Sequence, residues 1–150
     1  MRFSAVLLAG GESRRMGQDK ATIVFSGRPL WQRQVELLRN LNPETIFISA
    51  RTKPSWLAKG TELLLDEPPS RGPLSGIAKA LTEMESTHLI ALAVDMPFMT
   101  SAEMQLLSQL VAAGGGVVPV FQNCAEPLAA VYPKEATPEF VAALVGPDFS

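Results

Sequence analysis

Short apolar runs alternate with amphipathic stretches along most of the chain. Phe3-Ser4-Ala5-Val6-Leu7-Leu8 has strand length and stops at Gly10-Gly11, which predicts a buried strand. Ala21–Phe25 is short enough for a strand or a loop. Pro29 suits the first turn of a helix. Trp31, Val35 and Leu38 then recur at the i, i+4, i+7 spacing of a core stripe and carry that helix to about Asn40. Thr45–Ser49 is a second strand, Pro54–Ala58 a short helix, and Glu62–Leu65 a third strand. Pro68, Pro69, Gly72 and Pro73 mark a loop. Leu74, Ile77, Ala78 and Leu81 line one face of the next helix. His88–Val94 is apolar on both faces, as a central parallel strand requires. Thr100 and Glu103 have capping-box spacing, for a helix that runs to about Ala113 and stops at Gly114-Gly115-Gly116. Val117–Phe121 and Leu128–Tyr132 are expected to pair as a hairpin around Gln122-Asn123. Thr137-Pro138 opens a last helix. This alternation predicts an α/β domain with a largely parallel sheet.

Such sheets bind ligands beyond the carboxyl ends of their strands. Three unusual segments fall there: Ala9–Lys20, Asp66–Gly76 and Asp95–Thr100. In the first, glycines let the backbone approach a ligand and turn N–H groups toward it. Arg14, Arg15 and Lys20 add cations suited to a triphosphate. The run lacks the Gly-Lys-Ser/Thr of a Walker loop and the spacing of a dinucleotide fingerprint. Asp95, directly after the strongest strand, suits a hard divalent cation such as Mg²⁺, or equally a backbone cap. Asp66 is a second carboxylate candidate, though in isolation it reads better as a turn residue. Arg71–Gly76 offers a helix N-terminus to an anion, or simply a proline-started helix in which Gly76 allows close packing.

Composition narrows the classes. The 150 residues are 47% apolar with a net charge of −2, which suits one folded domain and excludes a disordered chain. No apolar run reaches the ~18 residues of a membrane span. The apolar run at the N-terminus is too short for a signal peptide. One cysteine, Cys124, and one histidine, His88, exclude a disulfide framework, a Cys/His metal cluster and, in practice, a Ser/His triad. A soluble protein of a reducing compartment is expected. Residues 1–79 carry 12 basic and 7 acidic side chains, whereas residues 80–150 carry one basic and 8 acidic. A basic half on an acidic chain points to a local anion site and away from a nucleic-acid surface. Met84, Met96, Met99 and Met104 are packing residues, Trp31 belongs to the core or turns an edge to the loop side where it could stack on a ring, and Cys124 is an inert thiol near a turn.

The run Leu8-Ala9-Gly10-Gly11-x-Ser13-Arg14-Arg15-Met16-Gly17-x-Asp19-Lys20 closely resembles the opening motif of the molybdenum cofactor guanylyltransferases. Gly27-x-Pro29-Leu30-Trp31-Gln32, Gly72-Pro73-Leu74-x-Gly76, Val94-Asp95-Met96-Pro97-Phe98 and Glu126-Pro127-Leu128-Ala129-Ala130-Val131-Tyr132 follow in that family's order. The resemblance implies a three-layer nucleotidyltransferase fold and a cytoplasmic enzyme. The implied reaction transfers GMP from MgGTP to molybdopterin, giving the guanine dinucleotide cofactor and pyrophosphate. Proteins that supply and receive the cofactor are implied partners. By the same resemblance, Leu8, Ala9, Gly10 and Gly11 line the nucleoside, and Lys20 with Arg15 holds the triphosphate. Asp66 lies near the nucleoside, Gly72 and Gly76 shape the base side, and Asp95 binds Mg²⁺ and the α-phosphate.

The family often has asparagine at the position of Ser49. It usually continues through an Asn-x-Asn-Thr-Pro-like segment that nothing here matches, so residues 1–150 are expected to form a single domain without that segment. Two alternatives stand beside the guanylyltransferase. One is a cytidylyltransferase acting on the same or another phosphate acceptor, although such relatives tend to have alanine at the position of Gly10. The other is a non-catalytic GTP-binding module that handles the cofactor.

Overall fold

Phe3–Leu8 form strand β1, and all of its residues from Ser4 onward are buried. That is the environment its unbroken apolar run demands in a sheet covered on both faces. The structure is a computed structural model and describes residues 1–10, 19–66 and 72–145. A single 3₁₀ turn, Lys20–Thr22, leads into a small hairpin of β2 (Val24–Phe25) and β3 (Arg28–Pro29). Helix α1 (Leu30–Arg39) then returns the chain to β4 (Ile46–Ala50). β5 (Glu62–Leu65), α2 (Pro73–Glu83), β6 (His88–Ala93) and α3 (Ser101–Leu110) follow. A second hairpin, β7 (Val120–Phe121) and β8 (Cys124–Ala125), precedes β9 (Ala129–Pro133) and α4 (Thr137–Val145).

The main sheet has the order β5-β4-β1-β6-β9. β1 pairs in parallel with β4 on one side and β6 on the other, β4 pairs in parallel with β5, and β9 runs antiparallel to β6. The chain moves outward from β1 to β5 and then crosses back to β6. Right-handed crossovers in opposite directions put their helices on opposite faces. Accordingly α1 and α3 cover one face, where Leu38, Val35 and Met104 pack with Leu7, Ile48 and Leu92. α2 covers the other, where Ile77 and Leu81 pack with Val6, Phe47 and Leu89, and Phe140 of α4 joins them. The fold is therefore a three-layer α/β architecture with a largely parallel sheet, as expected from the sequence.

Three local expectations are corrected. Pro54–Ala58 is a turn, closed by Leu57 N–H donating to the Pro54 carbonyl at 3.3 Å. Five residues give a helix too few internal bonds to offset nucleation. α3 has the capping box predicted at Thr100 and Glu103 but ends at Leu110, before the glycines. Val111 turns inward to 5% exposure in extended backbone. The Gln122-Asn123 loop has positive φ at both residues, 50° and 67°, the conformation of a tight two-residue hairpin. It joins Val120–Phe121 to Cys124–Ala125, while Leu128–Tyr132 supplies the start of β9 and meets the earlier segment only at the Val117–Val131 bridge. His88, at the start of β6, is fully buried and hydrogen-bonded. Its Nε2 lies 3.0 Å from the Ala112 carbonyl and 3.1 Å from that of Gly115. Carbonyls only accept, so Nε2 carries the proton and ties the segment after α3 to the sheet.

The methionines are core residues as expected: Met84, Met96, Met99 and Met104 are all buried. Among the described residues no helix is long and apolar enough to cross a membrane. Tyr132, the chain's one tyrosine, packs edge-on against Phe140 with ring centroids 5.0 Å apart, and its hydroxyl donates to the Pro127 carbonyl at 2.6 Å. Burial pushes its phenol up to about 12 from an ordinary value of 10.0. Below pH 10 folded and unfolded chains both keep the proton. Above it the unfolded chain ionises first, so this residue's contribution to stability is lost as pH rises from 10 toward about 12. Phenolate absorbance should therefore titrate well above 10 in the native protein and near 10 in denaturant. Equal midpoints in the two states would refute this.

Candidate active site

At the carboxyl end of the sheet the strands part around β1, where the chain order reverses. A cleft of about 330 Å³ opens there, at the topological position where open α/β sheets place their ligands. Each strand end contributes. Leu8, Ala9 and Gly10 continue from β1, Ser49 and Arg51 come from the end of β4, and Asp66 follows β5. Ala93, Val94 and Asp95 close β6, Leu128 precedes β9, and Gly72 and Pro73 bring in the start of α2.

Backbone bonds fix these loop roots to one another. Ala9 N–H donates to the Ser49 carbonyl at 2.8 Å, Val94 N–H to the Leu8 carbonyl at 3.1 Å, and Asp66 N–H to the Ala50 carbonyl at 2.8 Å. A shift of one root therefore disturbs its neighbour, so the cleft wall behaves as a continuation of the sheet.

Lys20 and Asp95 meet across this cleft. The Lys20 ammonium lies 3.6 Å from Asp95 Oδ2, with 40% and 52% of the two side chains exposed. So exposed a pair adds little stability. Its significance is geometric: one cation and one carboxylate converge on one space from segments 75 residues apart. Gln34 of α1 holds the turn that presents Asp95. The Gln34 side chain is fully buried, and its amide donates to the Ala93 and Met96 carbonyls, each at 3.0 Å. Those two carbonyls bracket Asp95.

Two glycines shape the opposite wall. Gly72 has φ +65° and ψ −142°, a region that is essentially glycine's alone. Gly76 lies against β1 and β4: a Cβ there would run first into Ser49 Oγ, and would also come within 2.9 Å of Leu8 Cδ2 and 3.0 Å of Ser49 Cβ. By contrast, a Cβ at Gly10 would meet only Ala50 and Arg51 backbone at 3.6–3.8 Å, an ordinary contact. The surrounding protein would thus admit alanine at Gly10.

Of the residues singled out from the sequence, Leu8, Ala9, Gly10, Lys20, Asp66, Gly72 and Asp95 line this one cleft, and Gly76 backs it through Leu8 and Ser49. Gly11 and Arg15 lie outside the described residues. Leu128, from the Glu126–Tyr132 motif, also lines the cleft, and so does Arg51, which did not stand out in the sequence although the strand-end rule that marks Asp95 also marks Arg51. Gln34 had a fainter signal, a polar residue four positions after Leu30 and four before Leu38 on the apolar face of α1; buried polar groups at such positions are normally hydrogen-bonded.

The site's fit to a metal can be judged from its donors. Among the described residues no group of three His, Cys, Asp or Glu side chains could cage an ion. The cleft's two carboxylates, Asp66 and Asp95, nevertheless suit magnesium, which commonly takes one or two carboxylates and completes its shell with phosphate oxygens and water.

The family model for the MobA-like NTP transferase domain matches residues 5–146. A protein of Opitutus terrae named "probable molybdenum cofactor guanylyltransferase" is 38% identical over 137 residues, covering 89% of this chain and 68% of its own length. The molybdenum cofactor guanylyltransferase of Xanthomonas euvesicatoria is 36% identical over 111 residues, covering 73% of this chain and 54% of its own. The chain thus spans between about half and two-thirds of these relatives. Among solved structures, the molybdopterin-guanine dinucleotide biosynthesis protein A of Archaeoglobus fulgidus superposes with a TM-score of 0.75 at 25% identity, covering 95% of this chain and 73% of that one.

Proposed function

The chain belongs to the MobA-like NTP transferase family, and from that premise we propose that it transfers GMP from GTP to molybdopterin, forming the guanine dinucleotide cofactor and releasing pyrophosphate. The observation that carries this reading is the convergence of Leu8-Ala9-Gly10, Lys20 and Asp95 on one strand-end cleft, in a chain whose relatives are named for this reaction. A phosphate oxygen of molybdopterin bonds to the α-phosphorus of GTP as the bond from that phosphorus to the β-phosphate bridging oxygen breaks. No protein nucleophile is needed, so the chain's work is positioning and charge neutralisation.

The backbone of Leu8–Gly10 sits where it can lie along the nucleoside, and the bare Gly10 leaves room beside it. Gly72 and Gly76 keep the opposite wall low. The Lys20 ammonium supplies positive charge to the phosphates and, as the bond breaks, to the departing pyrophosphate. Asp95 would hold Mg²⁺, which when bound supplies further neutralisation of phosphate charge. Asp66, which lines the same cleft, is assigned to the nucleoside. Arg15, in the same motif as Lys20, is assigned to the triphosphate. GTP and molybdopterin are the substrates, other proteins supply the one and receive the product, and the reaction belongs to the cytoplasm, where nucleoside triphosphates are made and held.

Pyrophosphate release measured with each nucleoside triphosphate, with and without molybdopterin, tests the proposal. Release should require GTP together with molybdopterin, and CTP should compete poorly. Preference for CTP would turn the reading to a cytidylyltransferase, and GTP binding without release would turn it to a non-catalytic module.

A further inference from the structure

Trp56 lies outside the cleft, on the turn that follows β4, and the reaction as derived makes no use of it. Its indole N–H donates to Asp19 Oδ2 at 3.0 Å. The other oxygen of the same carboxylate, Oδ1, accepts the Ala21 N–H at 3.0 Å and caps the 3₁₀ turn that begins at Lys20. A single 3₁₀ turn has too few internal bonds to hold its own orientation. The Asp19 side chain is exposed, so its direction depends on what binds it. Trp56 is itself held: its ring stacks on Trp31 with centroids 5.3 Å apart and planes within 11°, and Trp31 stands in the first turn of α1.

We infer that Trp56 is a positioning residue for Lys20. The chain of contacts runs from α1 through the Trp31–Trp56 stack to Asp19 and into the turn whose first residue reaches Asp95 at 3.6 Å. Both oxygens of the Asp19 carboxylate are occupied in this way, one by the turn and one by the indole. The lysine therefore starts from a fixed backbone, and a fixed cation need not be reorganised when the phosphates arrive. The importance of this for turnover rests on the role proposed above for Lys20; the positioning itself does not.

The test has two arms. In the first, GTP affinity is measured for the unaltered chain, Trp56→Phe, Lys20→Met and the double variant. Phenylalanine keeps an aromatic ring for the Trp31 stack and removes only the donor. Trp56→Phe should weaken GTP binding roughly tenfold, the scale of one hydrogen bond to a charged group, and should change it less than about twofold once Lys20 is methionine. Equal losses in both backgrounds would mean general loosening and overturn the inference, as would no loss at all. Asp19→Ser, which keeps a cap for Ala21 but cannot reach the indole, should reproduce the Trp56→Phe pattern. In the second arm, acetylation of Lys20 by acetic anhydride is followed by peptide mass spectrometry without nucleotide. It should quicken in Trp56→Phe, and an unchanged rate overturns the inference. If the unaltered chain binds no GTP, the functional proposal fails and the second arm alone decides the role of Trp56.

Discussion

Replacing Asp95 by alanine is expected to cut pyrophosphate release from GTP and molybdopterin at least ~100-fold, the scale seen when one preorganised electrostatic group is removed from a transition state. The same loss is expected for Lys20→Ala. The two side chains approach to 3.6 Å across the cleft while both remain about half exposed. Neither substitution empties a packed core, so the free energy of unfolding should change by less than about 0.5 kcal/mol. That separation makes the result interpretable, because a large fall in turnover with unchanged stability assigns the effect to chemistry. Near-normal turnover in Asp95→Ala would remove the carboxylate from the reaction. Asp95→Asn refines the assignment, since it keeps the shape of the side chain and loses its charge.

Gly76→Ala is expected to destabilise the fold by about 2 kcal/mol, as overpacking of a well-filled site does. The added methyl would press on Ser49 Oγ, Leu8 Cδ2 and Ser49 Cβ. Leu8 has rotamer freedom, but the Ser49 Cβ belongs to a buried strand that cannot recede. The first turn of α2 must lift instead, carrying Gly72 and Pro73 out of the cleft wall, so GTP affinity should fall together with stability. Urea unfolding measures the first effect and titration calorimetry the second. Combining Gly76→Ala with Ser49→Gly should cost less than the sum of the single changes, because the second substitution removes the main obstacle. Strict additivity would show that the helix and strand do not press on each other there.

Much of this was legible in the chain. Strands β1, β4 and β6 announce themselves because a strand buried on both faces is an unbroken apolar run, and the edge strand β5 shows as a short leucine run. α1 and α2 show because each has one packed face. The cleft was legible from position: Gly10, Lys20, Asp66 and Asp95 all follow, or lie shortly after, such runs. What escaped depended on partners distant in sequence. Pro54–Ala58 suggested a helix, yet Trp56 is recruited by Trp31 and Asp19. The segment Leu128–Tyr132 had two possible mates, and β6, which offers five register pairs, outcompetes the short run before Gln122. Gln34 looked like an ordinary helix residue because the carbonyls it bonds, at Ala93 and Met96, lie some 60 positions away. Arg51 was hidden by the same distance, its neighbours across the cleft being set by topology.

The reversed direction of β9 has a consequence for how this scaffold can be diversified. Because that strand enters at the ligand-binding rim, the protruding ribbon of residues 120–125 is tethered to the rim too, with Leu128 as its threshold. Insertions or deletions in the ribbon can reshape the doorway while the floor laid down by the four parallel strands stays untouched. The outline of the rim and the strand-end residues beneath it thus occupy separable parts of the molecule.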